Sequence, residues 1–466
     1  MLISFSVTNF RSFRDEQTLD MTASTRVGAG HDDHCCKIEG ENIRLLPVAV
    51  LYGANGAGKS NLIKALRYAA WMVLDGPRPG KHTAREAFAH MEGPGASPSC
   101  FDFRIFAAGH IFRFGFQVSD SQIESEWLVL EQGGNEKMLY ERSADASGKI
   151  DIKLGNLLAD EAVADKSQIH AFAQFAKSSS RANQLFLHAI HENVGSDSQG
   201  EWVRPVLRWF SESLMIIDPG EHLKGLHRLL TTSPDFAAFS SSFLKSVSTG
   251  VDEIIRLRTE ELPFEHARDM IPFGLAQGLA ESDFERDTVA DYTLPTGGMM
   301  AMTRGSDGGY FVHTIATKHH AGQEKPFELP LVAESDGTRR LLHLLPVIYP
   351  KLKSDSVIVI DEIDRSLHPL LTREFVEAFL KVALQTQRQL LLTTHDTILL
   401  DLDLLRRDEI WFVEKDQRSS SNLYPLSQFP VRKDLRLQRG YMQGRFGAIP
   451  FLGDLEKLHA GREAAA

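Results

Sequence analysis

Residues 53–60 read GANGAGKS, and the spacing of the glycines, the lysine and the serine is that of a phosphate-binding loop, G-x-x-x-x-G-K-S. Gly53, Gly56 and Gly58 let successive backbone N–H groups turn toward a phosphate. The N-terminus of a following helix adds partial positive charge. A glycine-rich turn that only connects two elements is the plain alternative, but the complete match favours phosphate binding.

The two residues that close this loop carry side chains suited to a nucleoside triphosphate. Lys59 would neutralise the β- and γ-phosphates, and Ser60 would supply a hydroxyl to Mg²⁺. Asn55 within the loop and Asn61 directly after it complete the predicted nucleotide-binding set. The loop therefore predicts ATP and Mg²⁺ as cofactors.

A pair of acids follows a second apolar run, VIVIDEID at 357–364. The run predicts a strand that delivers Asp361 and Glu362 to the carboxyl edge of a sheet, where ligands of open α/β sheets bind. Asp361 is suited to the Mg²⁺ shell, and Glu362 is the candidate general base because it can reach a water in line with the γ-phosphate. Alone, such acids are also typical of strand caps or solvated positions, so the pairing with the loop is what carries the prediction.

His395, in LLLTTHD, ends another apolar run. An imidazole at that point could donate a hydrogen bond to the γ-phosphate, and we take His395 as a second catalytic candidate. A purely structural histidine is one alternative. A metal-dependent phosphohydrolase built on His395 and Asp396 is another, but it needs further His and Asp ligands that the spacing does not offer.

Ser335 and Gly337 stand just before a predicted helix in AESDGTRRLL at 333–342. Their groups could bind an anion together with the helix N-terminus, so both join the predicted nucleotide-binding residues. An ordinary capped helix is the plain alternative.

The elements that must position these residues alternate between strand and helix patterns. LPVAVLY at 46–52 predicts a strand buried on both faces, and the segment behind the loop has apolar residues at helical spacing. VIVI, LTREFVEAFLKVAL, QLLLTTHD and EIWFVEK continue the alternation in the second half of the chain. This order predicts a parallel sheet.

Other segments predict additional layers. ISFSV predicts a strand in a β-rich start, and the strictly alternating runs from Phe101 onward predict an antiparallel meander. Residues 160–260 carry helix-period patterns without sustained heptads, so a mostly helical middle part without a coiled-coil arm is expected.

Composition excludes several classes of protein. The chain has 466 residues, 42% hydrophobic and 24% charged, which excludes collagenous, disordered and disulfide-scaffold classes. The net charge of −11 argues against a chain that coats nucleic acid indiscriminately. Three cysteines, the absence of a signal peptide and the absence of an apolar run of about 18 residues predict a cytoplasmic protein without a membrane role.

Two further clusters are best explained without chemistry. The run HDDHCC at 31–36 has metal-ligand residue types, but ligands packed so tightly cannot all face one ion, so a loop is expected. A basic stretch with neighbouring aromatics could contact phosphates or a partner, but a solvated face is favoured; its residues are Arg432, Lys433, Arg436, Arg439, Arg445, Tyr441 and Phe446.

Together these motifs carry a family resemblance. GANGAGKS, SDG before a helix, IDEID and THD, in this order, resemble the ABC-type heads of the SMC, RecF and OLD ATPases, and the opening ISFSVTNFRSF is similar to their first strand. ESDGTRRL, DEIDRSLHP, TTHD, LRRDEIWFVEK and QRGYMQGRFGAIPFLG resemble the stand-alone AAA-family ATPases of bacterial abortive-infection and phage-defence operons, such as those of PARIS systems. The resemblance covers about residues 1–190 and 325–455 and is weak between them.

The resemblance implies an α/β fold: an ABC-type P-loop ATPase head with an antiparallel β lobe and an inserted, mostly helical region. We expect the loop and the β lobe in residues 1–195 and the helical insertion in 196–325. Residues 326–466 would contain the signature, the acid pair and His395.

The resemblance also implies composite ATP sites in a homodimer or higher homo-oligomer. Each nucleotide would be held by loop 53–60 of one protomer and by Ser335 and Gly337 of another. Asp364 is a candidate for coupling the two sites. The chain departs from the pattern because its signature is SDG without a Leu-Ser-Gly-Gly start, and because the lobe-linking glutamine has no clear counterpart; Gln184 is a guess.

Two biological roles remain open at this stage. The first is a sensor or regulator in an anti-phage system of abortive-infection type, controlling a partner effector such as a nuclease; only about 70 residues follow His395, so a nuclease in the same chain is not expected. The second is a RecF/SMC-like ATPase that binds DNA in repair or maintenance. A non-hydrolysing scaffold is disfavoured because Glu362 is present.

Overall fold

The computed structural model describes residues 1–25, 27, 31, 34–38, 40–89, 97–145, 147–155, 181–193, 202–220, 226–270, 289–293, 299–305, 307–320, 326–351, 355–430 and 437–449. The chain forms two compact units. The first unit comprises Met1–Ile216, Ser354–Glu362 and Thr386–Ala466, and the second comprises Ile217–Lys353 and Ile363–Gln385.

The strands and helices before residue 217 are β1 (Leu2–Thr8), β2 (Gln17–Asp20), β3 (Cys36–Lys37), β4 (Arg44–Leu45), β5 (Val48–Tyr52), α1 (Lys59–Leu74), β6 (Ser99–Ala107), β7 (His110–Val118), β8 (Ile123–Gln132), β9 (Asn135–Ala144), β10 (Ile150–Leu154), α2 (Phe186–Asn193), α3 (Arg204–Arg208) with a π-helical turn (Trp209–Ser213), and β11 (Leu214–Ile217). They are followed by α4 (Leu226–Thr232), α5 (Pro234–Ser246), β12 (Glu253–Arg258), α6 (Phe264–Asp269), β13 (Val289–Thr293), β14 (Met299–Arg304), β15 (Tyr310–His319), β16 (Phe327–Pro330) and α7 (Asp336–Ile348). The last elements are β17 (Val357–Ile360), α8 (Pro369–Thr386), β18 (Gln389–Thr393), β19 (Ile410–Lys415), β20 (Ser421–Pro425) and α9 (Leu437–Met442).

The first unit contains the antiparallel sheet that the alternating sequence predicts. Its seven strands run in the order β10-β9-β8-β7-β6-β1-β2, and every neighbouring pair is antiparallel. Phe103 pairs with Phe5 on one side and Phe114 on the other, so aromatic side chains line the same face across three strands. The predicted meander is confirmed.

The second sheet of the first unit positions the chemistry. Its order is β11-β17-β18-β5-β19-β20, with β17, β18, β5 and β19 parallel and β20 antiparallel at one edge. All residues of β5, β17 and β18 are buried, as expected of parallel strands covered on both faces. Because these three neighbours are parallel, the residues after Tyr52, Ile360 and Thr393 emerge at one edge.

Helix α1 covers this sheet through an apolar stripe. Leu62, Leu66, Ala69 and Val73 recur at helical spacing and are all buried. They belong to one hydrophobic core with residues from both sheets of the first unit. The stripe fixes the rotation of the helix, and therefore the direction in which Lys59 and Ser60 leave its first turn.

The second unit combines a five-stranded sheet with helices. The strand order is β12-β15-β14-β13, and β16 pairs with the β15 strand. Phe264 and Ala267 of α6 pack with Met302, Tyr310 and Val312 of this sheet. Among the described residues of 196–325, the predicted helices are accompanied by four strands of this sheet.

The sheet of the second unit depends on contacts between residues that are distant in the sequence. The β12 strand pairs with β15, and Lys318 donates to Glu253 across 65 positions of sequence. The second unit also extends past the expected insertion, since it includes Ser335.

Within the described part of the chain, no helix is long and apolar enough to cross a membrane.

Candidate nucleotide-binding site

The loop between β5 and α1 is braced from two distant segments. Gly58 has φ 119°, and a Cβ there would lie 2.3 Å from Ser421 Oγ, so only glycine fits. Ser421 Oγ donates to the carbonyl of Ala57 and lies 2.8 Å from Ser12 Oγ. The amide of Asn61 in turn donates to Ser12 Oγ over 2.8 Å. These contacts fix the loop conformation, whereas Asn55 and Gly56 at its tip are exposed.

Lys59 is buried within the loop, with only 5% of its surface exposed. Its ammonium group donates to the carbonyl of Gly53 over 2.7 Å and to that of Ala54 over 3.3 Å. It also lies 3.4 Å from Nδ1 of His395, which leaves the end of β18. The structure thus brings the predicted phosphate-binding cation and the predicted γ-phosphate contact into one place.

Ser60 and Asp361 are also in contact, at the same carboxyl edge of the parallel strands. Ser60 Oγ donates to Asp361 Oδ1 over 3.1 Å. Two neighbouring ligands of an octahedral Mg²⁺ with bonds of about 2.0–2.1 Å lie about 2.9 Å apart, so this spacing suits a shared ion. A hydroxyl and a carboxylate are also the oxygen donors that Mg²⁺ prefers, and the residues therefore fit the metal.

Thr393 joins the two acids. Its Oγ1 donates to Asp361 Oδ1 over 2.6 Å and accepts the backbone N–H of Glu362 over 2.8 Å. Thr393 is fully buried, whereas Glu362 is half-buried and has φ 50°. The left-handed backbone at Glu362 is a conformation that costs about 1–3 kcal/mol and needs local support. The hydroxyl of Thr393 supplies that support.

His395 is exposed, and its neighbour Asp396 has a separate task. The Asp396 carboxylate accepts the backbone N–H of Ile398 over 3.0 Å and so caps a short 3₁₀ turn, Thr397–Leu399. One oxygen of the Asp396 carboxylate is thereby engaged with the backbone. Within the described residues, no group of three or more His, Cys, Asp or Glu could hold a metal ion.

In the second unit, Ser335 and Gly337 occupy the start of α7. Ser335 is the N-cap: its Oγ accepts the N–H of Thr338 over 3.1 Å. A Cβ at Gly337 would lie 2.8 Å from the carbonyl oxygen of Ser366, so this close approach requires glycine. Ser335 thus caps the first turn of α7, and Gly337 lets the backbone of that turn lie close to Ser366, in the segment that follows the acid pair.

Residues 48–401 match the protein family described as "AAA domain, putative AbiEii toxin, Type IV TA system". The chain belongs to this family. The predicted fold class, an α/β P-loop ATPase head with an antiparallel β lobe, is confirmed by this match and by the two sheets of the first unit. No curated protein matches the chain.

Solved structures of SMC heads are similar to this AAA-family chain at low identity. The SMC head domain from Thermotoga maritima is 14% identical with a TM-score of 0.36, covering 91% of this chain and 98% of that one. An SmcHead bound to the C-winged helix domain of ScpA is 12% identical with a TM-score of 0.42, covering 91% and 97%. An Smc head with an extended coiled coil, bound to the C-terminal domain of ScpA derived from Pyrococcus furiosus, is 12% identical with a TM-score of 0.38, covering 92% and 96%.

The two residues considered for coupling roles lie in different units of this AAA-family chain. Gln184 is buried, and its amide donates to the carbonyl of Pro77 over 3.2 Å in the first unit. Asp364 is half-buried in the second unit.

Five residues of the HDDHCC run and of the basic stretch lie outside the described residues: Asp32, Asp33, Arg432, Lys433 and Arg436.

Sequence reasoning missed Thr393, Ser12 and Ser421. Each is a polar residue beside an apolar or motif segment: Thr393 closes an otherwise apolar strand, and Ser12 lies in NFRSF. A polar residue at the end of an apolar strand was the available signal for Thr393. Its partners, however, lie 31 and 32 residues away in the sequence. Ser12 and Ser421 are 409 residues apart.

Proposed function

We propose that this AAA-family protein is an Mg²⁺-dependent ATPase. The observation that carries the proposal is the convergence of Lys59, Ser60, Asp361 and His395 after three adjacent parallel strands. The loop amides and Lys59 would bind the phosphates, with Gly53, Gly56, Gly58, Asn55 and Asn61 shaping or flanking the cradle. Ser60 and Asp361 would hold Mg²⁺, which supplies charge stabilisation at the phosphoryl oxygens when bound.

Hydrolysis in this proposal needs a base and a polar contact at the γ-phosphate. Glu362 accepts the proton of the attacking water, and Thr393 holds the Glu362 backbone in its left-handed conformation. His395 donates to a γ-phosphate oxygen from beside Lys59. Positioning and electrostatic stabilisation are the main sources of rate in phosphoryl transfer, which fits such a fixed polar cluster.

The binding step is tested by comparing Lys59→Ala with Lys64→Ala. Lys64 is an exposed lysine on the same helix and provides a matched loss of charge. Because Lys59 would make charge-assisted bonds to phosphate, its loss is expected to weaken ATP binding by about 100-fold. Equilibrium titration with a fluorescent ATP analogue measures this. Equal affinities of the two variants would contradict the proposal.

We propose further that the ATP sites are composite and that the protein acts as a homo-oligomer. The family resemblance and the helix start held by Ser335 and Gly337 support this. A mixing experiment tests it: Lys59→Ala and Gly337→Ala are expected to be inactive alone, and together to regain ATPase activity. In a mixed pair, the intact loop of one chain meets the intact signature of the other. A mixture as inactive as its components would contradict shared sites.

For the biological role, we propose a sensor or regulator in an anti-phage system of abortive-infection type, controlling an effector such as a nuclease. The family description, which names a toxin of a toxin–antitoxin system, supports this direction. We place the protein in the cytoplasm, where ATP is available and where thiols such as Cys35, Cys36 and Cys100 stay reduced.

The role is tested by co-purification with the product of each adjacent gene, with and without ATP. A stable complex whose lifetime changes with nucleotide supports effector control. ATP-dependent DNA binding that weakens steeply with salt, without such a complex, would instead favour the DNA-maintenance alternative.

A further inference from the structure

Glu334 comes directly before Ser335 in the second unit, and the two residues differ in exposure. The side chain of Glu334 is 6% exposed, whereas Ser335 is exposed. A glutamate is rarely buried unless its carboxylate is paired and hydrogen-bonded, because removing the charge from water costs free energy. The chain therefore passes in one step from a buried acid to a residue at the surface.

Two side chains of β15 contact the Glu334 carboxylate. His319 Nε2 lies 2.7 Å from Glu334 Oε1, and the hydroxyl of Thr317 donates to the same oxygen. Thr317 and His319 are two positions apart on one strand, so their side chains lie on the same face of the sheet. Thr317 is fully buried, and the side chain of His319 is 12% exposed. The buried carboxylate thus has two donors from a single strand.

The neighbouring β16 strand holds the imidazole of His319 in place. Phe327 stacks on His319 with 5.0 Å between the ring centroids and 12° between the ring planes. The two residues are also paired in the register of β15 and β16. After β16 the chain makes a 3₁₀ turn, Leu331–Ala333, and Glu334 then reaches back to β15. The start of α7 is therefore attached to the sheet immediately before its first turn.

We propose, on the basis of the composite ATP site described above, that Glu334 is a positioning residue for hydrolysis. Held by His319 and Thr317, its carboxylate fixes residues 335–337 in one orientation toward the nucleotide of another protomer. Glu334 itself does not contact the nucleotide. Such positioning matters because a displacement of about 1 Å near the reacting groups can lower a rate by about 100-fold.

The effect on hydrolysis is tested by comparing Glu334→Ala with Glu334→Gln and Glu328→Ala. Both β15 donors reach Oε1, so glutamine keeps the acceptor that they use. Glu328 is an exposed glutamate on β16 and provides a matched loss of charge. Glu334→Ala is expected to lower kcat by about 10- to 100-fold with unchanged ATP affinity, since its own loop at 53–60 is intact. Glu334→Gln should recover most of kcat. In an active protein, equal kcat for Glu334→Ala and Glu328→Ala would overturn the proposal.

Mixing experiments separate a role in residues 335–337 from general damage to the fold. Glu334→Ala mixed with Lys59→Ala should regain ATPase activity, because one chain supplies an intact loop and the other an intact start of α7. Glu334→Ala mixed with Gly337→Ala should stay slow, because both changes affect the same segment. The opposite result in either mixture would overturn the positioning role, provided that Lys59→Ala and Gly337→Ala restore each other. If they do not, the composite site is what fails.

Amide hydrogen exchange without nucleotide decides the structural step independently of hydrolysis. The N–H of Thr338 donates to Ser335 Oγ and that of Arg339 donates to the Ser335 carbonyl, so both amides report on the start of α7. Glu334→Ala is expected to exchange them about tenfold faster, with Glu334→Gln close to wild type. Unchanged exchange in Glu334→Ala would overturn the inference whatever the ATPase activity. Faster exchange in a protein that does not hydrolyse ATP would support the anchoring by Glu334 and contradict the proposed function alone.

Discussion

The nucleotide site of the first unit and the signature segment of the second unit are built in different ways. In the first unit, side chains hold one another: Thr393 joins Asp361 and Glu362, and Asp361 also receives Ser60. In the second unit, the Ser335 side chain accepts the backbone N–H of Thr338, and Gly337 allows the close approach of the Ser366 backbone. Polar side chains linked in a buried network transmit the loss of one member to the others. Substitutions in the first region should therefore reduce activity strongly, whereas removing the Ser335 cap in the second should act mainly through helix stability.

The largest effect is expected at Glu362. Glu362→Gln keeps the side-chain shape but cannot accept a proton, so kcat for ATP hydrolysis should fall by about 10²–10⁴ while ATP affinity is retained. Glu374→Gln, at an exposed position on α8, is the matched control. Steady-state hydrolysis and equilibrium ATP binding measure the two quantities. Near-normal turnover of Glu362→Gln would remove it as the base and would weaken the contrast between the regions.

Thr393 gives a sharper test because it touches both acids without being expected to touch substrate. Thr393→Val preserves shape but leaves the Glu362 N–H without its acceptor, which should lower kcat about tenfold or more. The Mg²⁺ concentration needed for half-maximal activity should rise as well, since Asp361 loses a donor that orients it.

The conservative Thr393→Ser variant separates positioning from packing. It keeps the hydroxyl, so kcat and the Mg²⁺ requirement should both return toward the wild-type values. If Thr393→Ser were as impaired as Thr393→Val, the methyl group and not the hydroxyl would matter, and the network would not be the source of the effect.

The difference between local patterns and long-range contacts also explains how much of the fold and of the site was predictable from the sequence. The loop at 53–60, the acid pair and the parallel strands were predictable because glycine spacing and apolar runs are local patterns. Thr393 and the Ser12–Ser421 brace were not, because their roles arise only when strands far apart in sequence become neighbours.

The middle of the chain shows the same division between local and long-range signals. Helical patterns such as FAAFSSSFLKS are local and were recognised correctly as α5. The β12 and β15 strands pair with each other across about 60 residues of sequence, so part of what stabilises each strand is absent until the other is in place.

The smallest effect is expected at Ser335. Ser335→Ala removes the N-cap of α7 and should lower the free energy of unfolding by about 1 kcal/mol, seen as a small drop in the midpoint of thermal unfolding. Ser335→Asn restores a capping oxygen and should recover that stability. ATPase activity decides whether the cap is the whole role of the residue. If Ser335→Asn is as stable as wild type but remains slow, and the deficit persists at high protein concentration, the serine hydroxyl acts on nucleotide as well. If stability and activity recover together, the second region contributes through its helix start alone, which would sharpen the contrast with the buried network around Thr393.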